Sequence, residues 1–186
     1  MKKLTEKNYK ISNWSGGTTT QLAIYPEDAD YAKREFGWRI SSATVELEHS
    51  IFTSLPDVNR ILAPLEGELA LSFNGEEPIR LKPLEQVAFS GFTPTESWGK
   101  VVDFNVMTSP DRQAKLETFD VEQTKDIHLD VTDKPDFIFI YCFKGKAICG
   151  ENEISSNESL YMEKSDSPLA IKAFPQTKLL VVRIGR

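Results

Sequence analysis

The sequence predicts an all-β protein, on three observations. Nearly every apolar run alternates with period two, ten prolines are spread through the 186 residues, and an Asn-Gly pair separates two alternating segments. Period-two alternation puts successive side chains on opposite faces of a half-buried strand. Proline breaks long helices but is tolerated at strand edges and turns. Asn-Gly supplies the two left-handed residues of a type I′ hairpin turn.

The first informative stretch in chain order is "NWSGGTTTQLAIYP", residues 13–26. Its Gly16-Gly17 pair invites a phosphate-loop reading, which needs a lysine and a helix starting immediately afterwards. Instead the β-branched Thr18, Thr19 and Thr20 lead into alternating Gln21, Leu22, Ala23, Ile24 and Tyr25, then Pro26. A glycine turn feeding an edge strand is therefore expected. "FGWRISSATVEL" follows, with Trp38, Ile40, Ser42 and Thr44 on one face and Arg39, Ser41, Ala43 and Val45 on the other. In "GELALSFNGEEPIRL", Leu69, Leu71 and Phe73 run up to Asn74-Gly75, and Ile79 and Leu81 return. "KVVDFNVMT" alternates Val102, Phe104 and Val106 against Val101, Asp103, Asn105 and Met107. "DFIFIYCF", "SLYMEK", "LAIKAF" and "KLLVVRIG" continue the strand pattern. Helical periodicity is confined to short candidates at residues 28–34 and 111–116.

A repeat underlies this order. "LEGEL" (residues 65–69) and "FKGKA" (residues 143–147) share the pattern apolar, charged, Gly, charged, apolar, at a spacing near 78 residues. An apolar strand precedes each copy; a second turn, a polar-to-apolar strand and a strongly apolar strand follow it. That spacing is too long for a solenoid repeat. It suits a duplicated antiparallel sandwich or small barrel, each half of the cupin or jelly-roll kind. The halves are expected at residues 1–110, including the N-terminal strands, and 111–186, packed together as one globular unit.

Composition excludes several partners. A net charge of −6 opposes nucleic-acid binding, which needs a basic surface. No segment approaches the roughly 18 uninterrupted apolar residues of a membrane span. The start, Met1-Lys2-Lys3, resembles a signal peptide until Glu6 and Lys7 interrupt it, so a cytoplasmic protein is expected. Cys142 and Cys149 flank "FKGKAI", and a two-residue turn at Gly145-Lys146 would set them across a hairpin. In a reducing compartment they remain thiols.

Chemistry is sparse. Cupin metal sites use two or three histidines with a glutamate, whereas His49 and His128 lie in different halves and share no ligand spacing. No metal or other cofactor is expected. No G-x-S-x-G elbow occurs, and no cysteine or serine has an identifiable base, so no catalytic residue is assigned. Polar residues on otherwise apolar strands stand out instead. Arg39 and Ser41 share one face, Asp103 and Asn105 share another, and Arg60 opens "RILAPL". A buried arginine or aspartate must be paired or costs several kcal/mol. Either the charges brace the barrel internally, or an arginine presents its planar fork to a small carboxylate, with Asn105 and hydroxyl groups assisting. Trp14, Trp38 and Trp98 read as core residues more readily than as stacking platforms.

Taken together, "WSGGTTTQLAIYP", "WRISSATVE", "FTSLPDVNRILAPLEGELAL", "FSGF" and "DFNVM" resemble the HutD/Ves family, in the same order, over residues 8–110. The resemblance implies a bicupin fold and an association with bacterial histidine utilisation. It also implies a regulatory or sensing role toward a small carboxylate of the formylglutamate kind, without a settled catalytic activity. Carried over by motif, it points to Arg39, Ser41, Arg60, Asp103 and Asn105, with Thr19 or Gln21 from the glycine-threonine strand. Two departures stand out: Asp57 replaces the glycine of the family's F-P-G-x-x-R pattern, and Thr20-Gln21 replaces Arg-Glu. Three classes of function follow. The first is a metal-free binder of a small anionic metabolite. The second is an isomerase or hydrolase of small acids using Asp103, and the third an interaction module with a packed barrel. Sheet edges leave a homodimer open.

Overall fold

The alternating segments all become strands. The computed structural model describes residues 1–164 and 167–186, and nineteen strands lie within them. The chain divides into two units, Tyr9–Arg112 and Met1–Asn8 with Gln113–Arg186. The first unit holds β2 (Lys10–Trp14), β3 (Gly17–Tyr25), β4 (Trp38–Val45), β5 (His49–Ile51) and β6 (Asn59–Glu66). It continues with β7 (Leu69–Phe73), β8 (Ile79–Leu81), β9 (Val87–Ser90), β10 (Thr95–Trp98) and β11 (Val101–Thr108). The second unit holds β1 (Lys2–Leu4), β12 (Gln113–Val121), β13 (Lys125–Leu129), β14 (Phe137–Lys144) and β15 (Lys146–Cys149). Its remaining strands are β16 (Asn152–Ser155), β17 (Glu158–Glu163), β18 (Leu169–Ala173) and β19 (Thr177–Gly185).

Each unit pairs a larger antiparallel sheet with a four-stranded one. In the first, the orders are β2-β3-β4-β11-β6-β9 and β5-β10-β7-β8; in the second, β1-β17-β14-β19-β12 and β13-β18-β15-β16. Strands β4 to β11 and β12 to β19 make the same pairings in the same sequence, so the duplication read from the sequence is a duplication of topology. Even an irregularity repeats. The β6–β11 register shifts between Val102 and Asp103, and the β14–β19 register shifts between Cys142 and Lys144.

The repeat glycines explain the LEGEL and FKGKA pattern. Gly67 (φ 79°) and Gly145 (φ 87°) carry the chain from one sheet to the other, from β6 to β7 and from β14 to β15. A Cβ on Gly67 would lie 2.6 Å from the Lys100 carbonyl oxygen, and one on Gly145 would lie 2.7 Å from Thr177 Cα. Left-handed backbone and close passage both require glycine there. Glu66, Glu68 and Lys144 beside them are exposed, and Leu65, Leu69 and Ala147 are buried, while Phe143 and Lys146 are half-buried.

Three expectations are corrected. Strand β1 pairs with β17, so the N-terminal strand belongs to the second unit rather than to residues 1–110. Residues 111–116 run into β12 instead of a helix, because Ala114 and Leu116 alternate toward β19. Cys142 and Cys149 do not face each other across a hairpin, since the Gly145 crossing places them in different sheets; both are free, buried thiols. Burial pushes the Cys142 thiol up to about 12. The 28–34 candidate contains a single 3-10 turn, Tyr31–Lys33. No helix among the described residues is long and apolar enough to cross a membrane.

Gly75, at the predicted hairpin turn, has φ 74° but open space around its Cα. Gly75→Ala is therefore expected to cost only the left-handed penalty of roughly 1–2 kcal/mol. Gly67→Ala and Gly145→Ala are expected to cost clearly more, because backbone must move as well; urea denaturation of the three variants measures the difference.

Candidate functional site

The first unit's larger sheet places its inward side chains in rungs. One rung reads Ile24, Arg39, Met107, Arg60, Phe89 across β3, β4, β11, β6 and β9. The next reads Gln21, Ser41, Asn105, Leu62, Val87, and a third sets Thr19, Ala43, Asp103 and Pro64 side by side. These rungs border a cavity of about 420 Å³ lined by Thr19, Arg39, Ser41, Arg60, Asp103 and Asn105, among others. Six of the seven residues singled out from the sequence thus meet in one place. The seventh, Gln21, does not line the cavity; its Oε1 accepts from Arg39 Nε. The barrel is not filled by side chains.

Both arginines are buried, and neither forms an ion pair with a carboxylate among the described residues. Arg39 donates from Nε to Gln21 Oε1 at 2.8 Å and from Nη1 to Ser41 Oγ at 3.2 Å. Its guanidinium lies 4.0 Å from the centre of the Tyr31 ring, and Arg34 lies 4.4 Å from the same ring. Arg60 sits over Phe52 at 4.6 Å and Phe89 at 5.2 Å, and its Nε has no hydrogen-bond partner. These aromatic faces offer partial compensation, worth about 0.5–2 kcal/mol each by general experience.

Burial weakens the charges at Arg39, Arg60 and Asp103. It lowers Arg60 to about 10 against the opposing attraction of Asp103, and it lowers Arg39 as well, with Arg34 acting in the same direction. Burial raises Asp103 to about 7, more than Arg60 and the Ala43 backbone amide can draw it down. Near neutral pH the cavity is therefore lined by the guanidinium groups of Arg34, Arg39 and Arg60 and by a carboxyl that is about half protonated. Asn105 Oδ1 is a further buried acceptor with no partner.

The second unit supplies an internal comparison. By pairing register, Arg60, Asp103 and Asn105 correspond to Ile138, Leu179 and Val181. Those three belong to one continuous apolar core. Met107 corresponds to Arg183, which is answered by acids: its Nη2 lies 2.5 Å from Glu117, and its Nη1 lies 3.4 Å from Asp133. One copy of the fold has a packed interior and neutralised charge. The other keeps open space, with Arg39 and Arg60 in no ion-pair contact with an acid among the described residues.

Residues that the sequence did not single out complete the site. Tyr31 and Arg34 come from the segment between β3 and β4, which the sequence marks only as a short helical candidate. Phe52, just after β5, and Phe89, on β9, flank Arg60. Asp57, in the family's glycine position, has φ 59°, a left-handed conformation that aspartate tolerates better than most residues. The turn leading to Arg60 thus keeps a glycine-like backbone. His49 stacks on Trp98 and pairs with Glu96 at 2.8 Å, while His128 is exposed. No group of three or more His, Cys, Asp or Glu side chains able to hold a metal occurs among the described residues.

Two double-sheet units of identical strand order, one of them enclosing a cationic cavity, make this a bicupin. The fold is similar over its whole length to a conserved protein from Pseudomonas aeruginosa PAO1, with a TM-score of 0.81 and 22% identity, covering 100% of this chain and 98% of that one. It is similar to HutD from Pseudomonas fluorescens SBW25, with a TM-score of 0.79 and 21% identity over 99% and 97% of the two chains. YhhW from Escherichia coli shares it at a TM-score of 0.74 and 9% identity, over 98% and 96%. The chain belongs to the HutD family, whose profile matches residues 6–181. It is also 31% identical over 124 residues to a 21.2 kDa protein in the hutC 3′ region of Pseudomonas putida, a match spanning 63% of each chain.

Asp103 makes the site visible in a pH titration. Its folded value, about 7, lies above the ordinary carboxylate range, so between pH 4 and 7 the folded state binds more protons than the unfolded one. This contribution favours folding below that window and is lost as pH rises through 7. Asp103→Asn removes it. The stability of the variant relative to the parent is expected to rise between pH 4 and 7 and then level off, as read by denaturant unfolding at stepped pH.

Proposed function

We propose that this HutD-family protein binds a small carboxylate metabolite in the first barrel and plays a regulatory part in histidine utilisation. The single observation that carries the binding reading is Arg60, buried, with an unpartnered Nε and no acid in ion-pair contact, on the wall of a cavity. A guanidinium so placed awaits an anion with two oxygens in its plane. Ser41 and Thr19 add hydroxyl donors, and Asn105 adds an amide. The link to histidine utilisation rests on the family and on the P. putida relative's place in the hutC 3′ region. Formylglutamate-like acids are the first ligands to try.

A second reading, an isomerase or hydrolase of small acids, is favoured by one observation: a cavity carboxyl, Asp103, raised to about 7. A group titrating near the working pH is suited to exchange protons with a bound substrate. Turnover in a mixture of small acids, abolished in Asp103→Asn, would establish this reading; its absence leaves binding alone.

For the leading reading, thermal unfolding is the direct test. N-formylglutamate, glutarate, succinate and acetate are each titrated against the protein. A ligand at a hundred times its dissociation constant adds about 2.7 kcal/mol. For a chain of this size that raises Tm by about 5–10 °C. The shift is expected to vanish in folded Arg60→Ala. No shift with any of the acids would overturn the reading.

A further inference from the structure

The cavity has two regions of different chemistry. At its base lie Arg39, Ser41, Arg60, Asp103 and Asn105, each less than a tenth exposed. At its mouth stand Ile51, 74% exposed, and Trp14, 42% exposed, with Phe52 between mouth and base. Single exposed apolar residues are ordinary on a protein surface. Here two of the most conspicuous line the same cavity, and they come from edge strands of different sheets: Ile51 from β5 and Trp14 from β2.

Trp14 is held in place. Its Nε1 donates to Thr19 Oγ1 at 3.2 Å, so its one polar atom is already used within the protein. The indole folds back over Gly16, where a Cβ would lie 2.0 Å from ring atom Cζ3 and 2.7 Å from Leu47 Cδ1. The first glycine of "NWSGGTTT" therefore makes room for a fixed aromatic wall. An indole anchored in this way offers the cavity a rigid apolar face that costs little entropy to cover.

We propose that the ligand is a carboxylate carrying an apolar or aromatic body, with its head group on the base arginines and its body along Phe52, Ile51 and Trp14. This rests on the carboxylate reading above and extends it from the head group to the remainder of the molecule. A compact, wholly polar acid would satisfy the base and leave the wall in water. A cavity of about 420 Å³ has the size of an ordinary ligand pocket, in which apolar walls dominate and a few polar groups fix orientation. Covering exposed Ile51 and Trp14 supplies a driving force that the desolvated arginine contacts alone do not.

The test is a series of acids at constant ionic strength and pH: glutarate as the compact reference, then acetate, butyrate, hexanoate and 3-phenylpropanoate. Affinity is expected to rise about fourfold for each methylene that reaches the wall. Hexanoate and 3-phenylpropanoate are expected to exceed glutarate. In Ile51→Ser, and independently in Trp14→Ser, the hexanoate-to-glutarate affinity ratio is expected to fall severalfold. Glutarate binding with no gain along the series overturns this inference and leaves the carboxylate reading standing. A gain whose ratio is unmoved in both variants also overturns it, because the body then lies elsewhere. Failure of all five acids to bind overturns this inference, and the carboxylate reading is then decided by N-formylglutamate and succinate in the thermal test.

Discussion

Two guanidinium groups kept from water with no carboxylate in ion-pair contact set the terms for the rest of the first unit. An uncompensated buried charge costs several kcal/mol. What surrounds Arg39 and Arg60 can be understood as partial compensation that stops short of neutralisation. An amide and a hydroxyl hold Arg39, and aromatic faces cover both groups. Arginine suits this arrangement better than lysine, because its delocalised charge is weakly hydrated and its flat surface stacks while its edge stays free to donate. Full pairing would be more stable and would leave nothing for an anion to bind.

The duplicated fold shows what that choice gives up. At matching register the second unit carries Ile138, Leu179 and Val181 where the first carries Arg60, Asp103 and Asn105. Burying one aliphatic side chain of this size contributes about 1.5–3 kcal/mol, so the first barrel forgoes a substantial stabilisation at three positions. The backbone demands are common to both: the left-handed glycine between sheets, the register shift and the strand order. Architecture is therefore set by features the copies share, and the candidate site by features in which they differ. Local departures from well-packed apolar order are where function is ordinarily found.

Much of this was legible in the chain because strand periodicity records which side chains share a face. Arg39 with Ser41, and Asp103 with Asn105, fall on common faces by alternation alone, and Asn74-Gly75 marks its turn. The duplication was visible through one glycine in each copy, since left-handed backbone leaves few alternatives. What was not legible depends on tertiary position. Tyr31 and Arg34 sit in a short helical candidate whose pattern says nothing of a partner on β4. Phe52 and Phe89 look like any core aromatics until Arg60 is placed against them. Lys2–Leu4 is too short to announce a partner as distant as β17. The Cys142–Cys149 expectation failed because a glycine turn reads alike whether it closes a hairpin or crosses between sheets.

Negative charge in the pocket is limited by two routes. At position 21 the chain has Gln21, which holds Arg39 by a hydrogen bond without contributing charge. At position 103 the acid is present, but burial outweighs the pull of Arg60 and keeps its proton to about pH 7. The first route is fixed by the sequence; the second responds to surroundings. An anion arriving on Arg60 would place a like charge beside Asp103, which favours the protonated carboxyl further. Binding and proton retention then reinforce each other, as linkage requires of any two events that share a favourable state. A buried aspartate beside an arginine is commonly taken as the arginine's partner. In this cavity, burial raises that aspartate to about 7, so its hold on Arg60 weakens as pH falls below neutral.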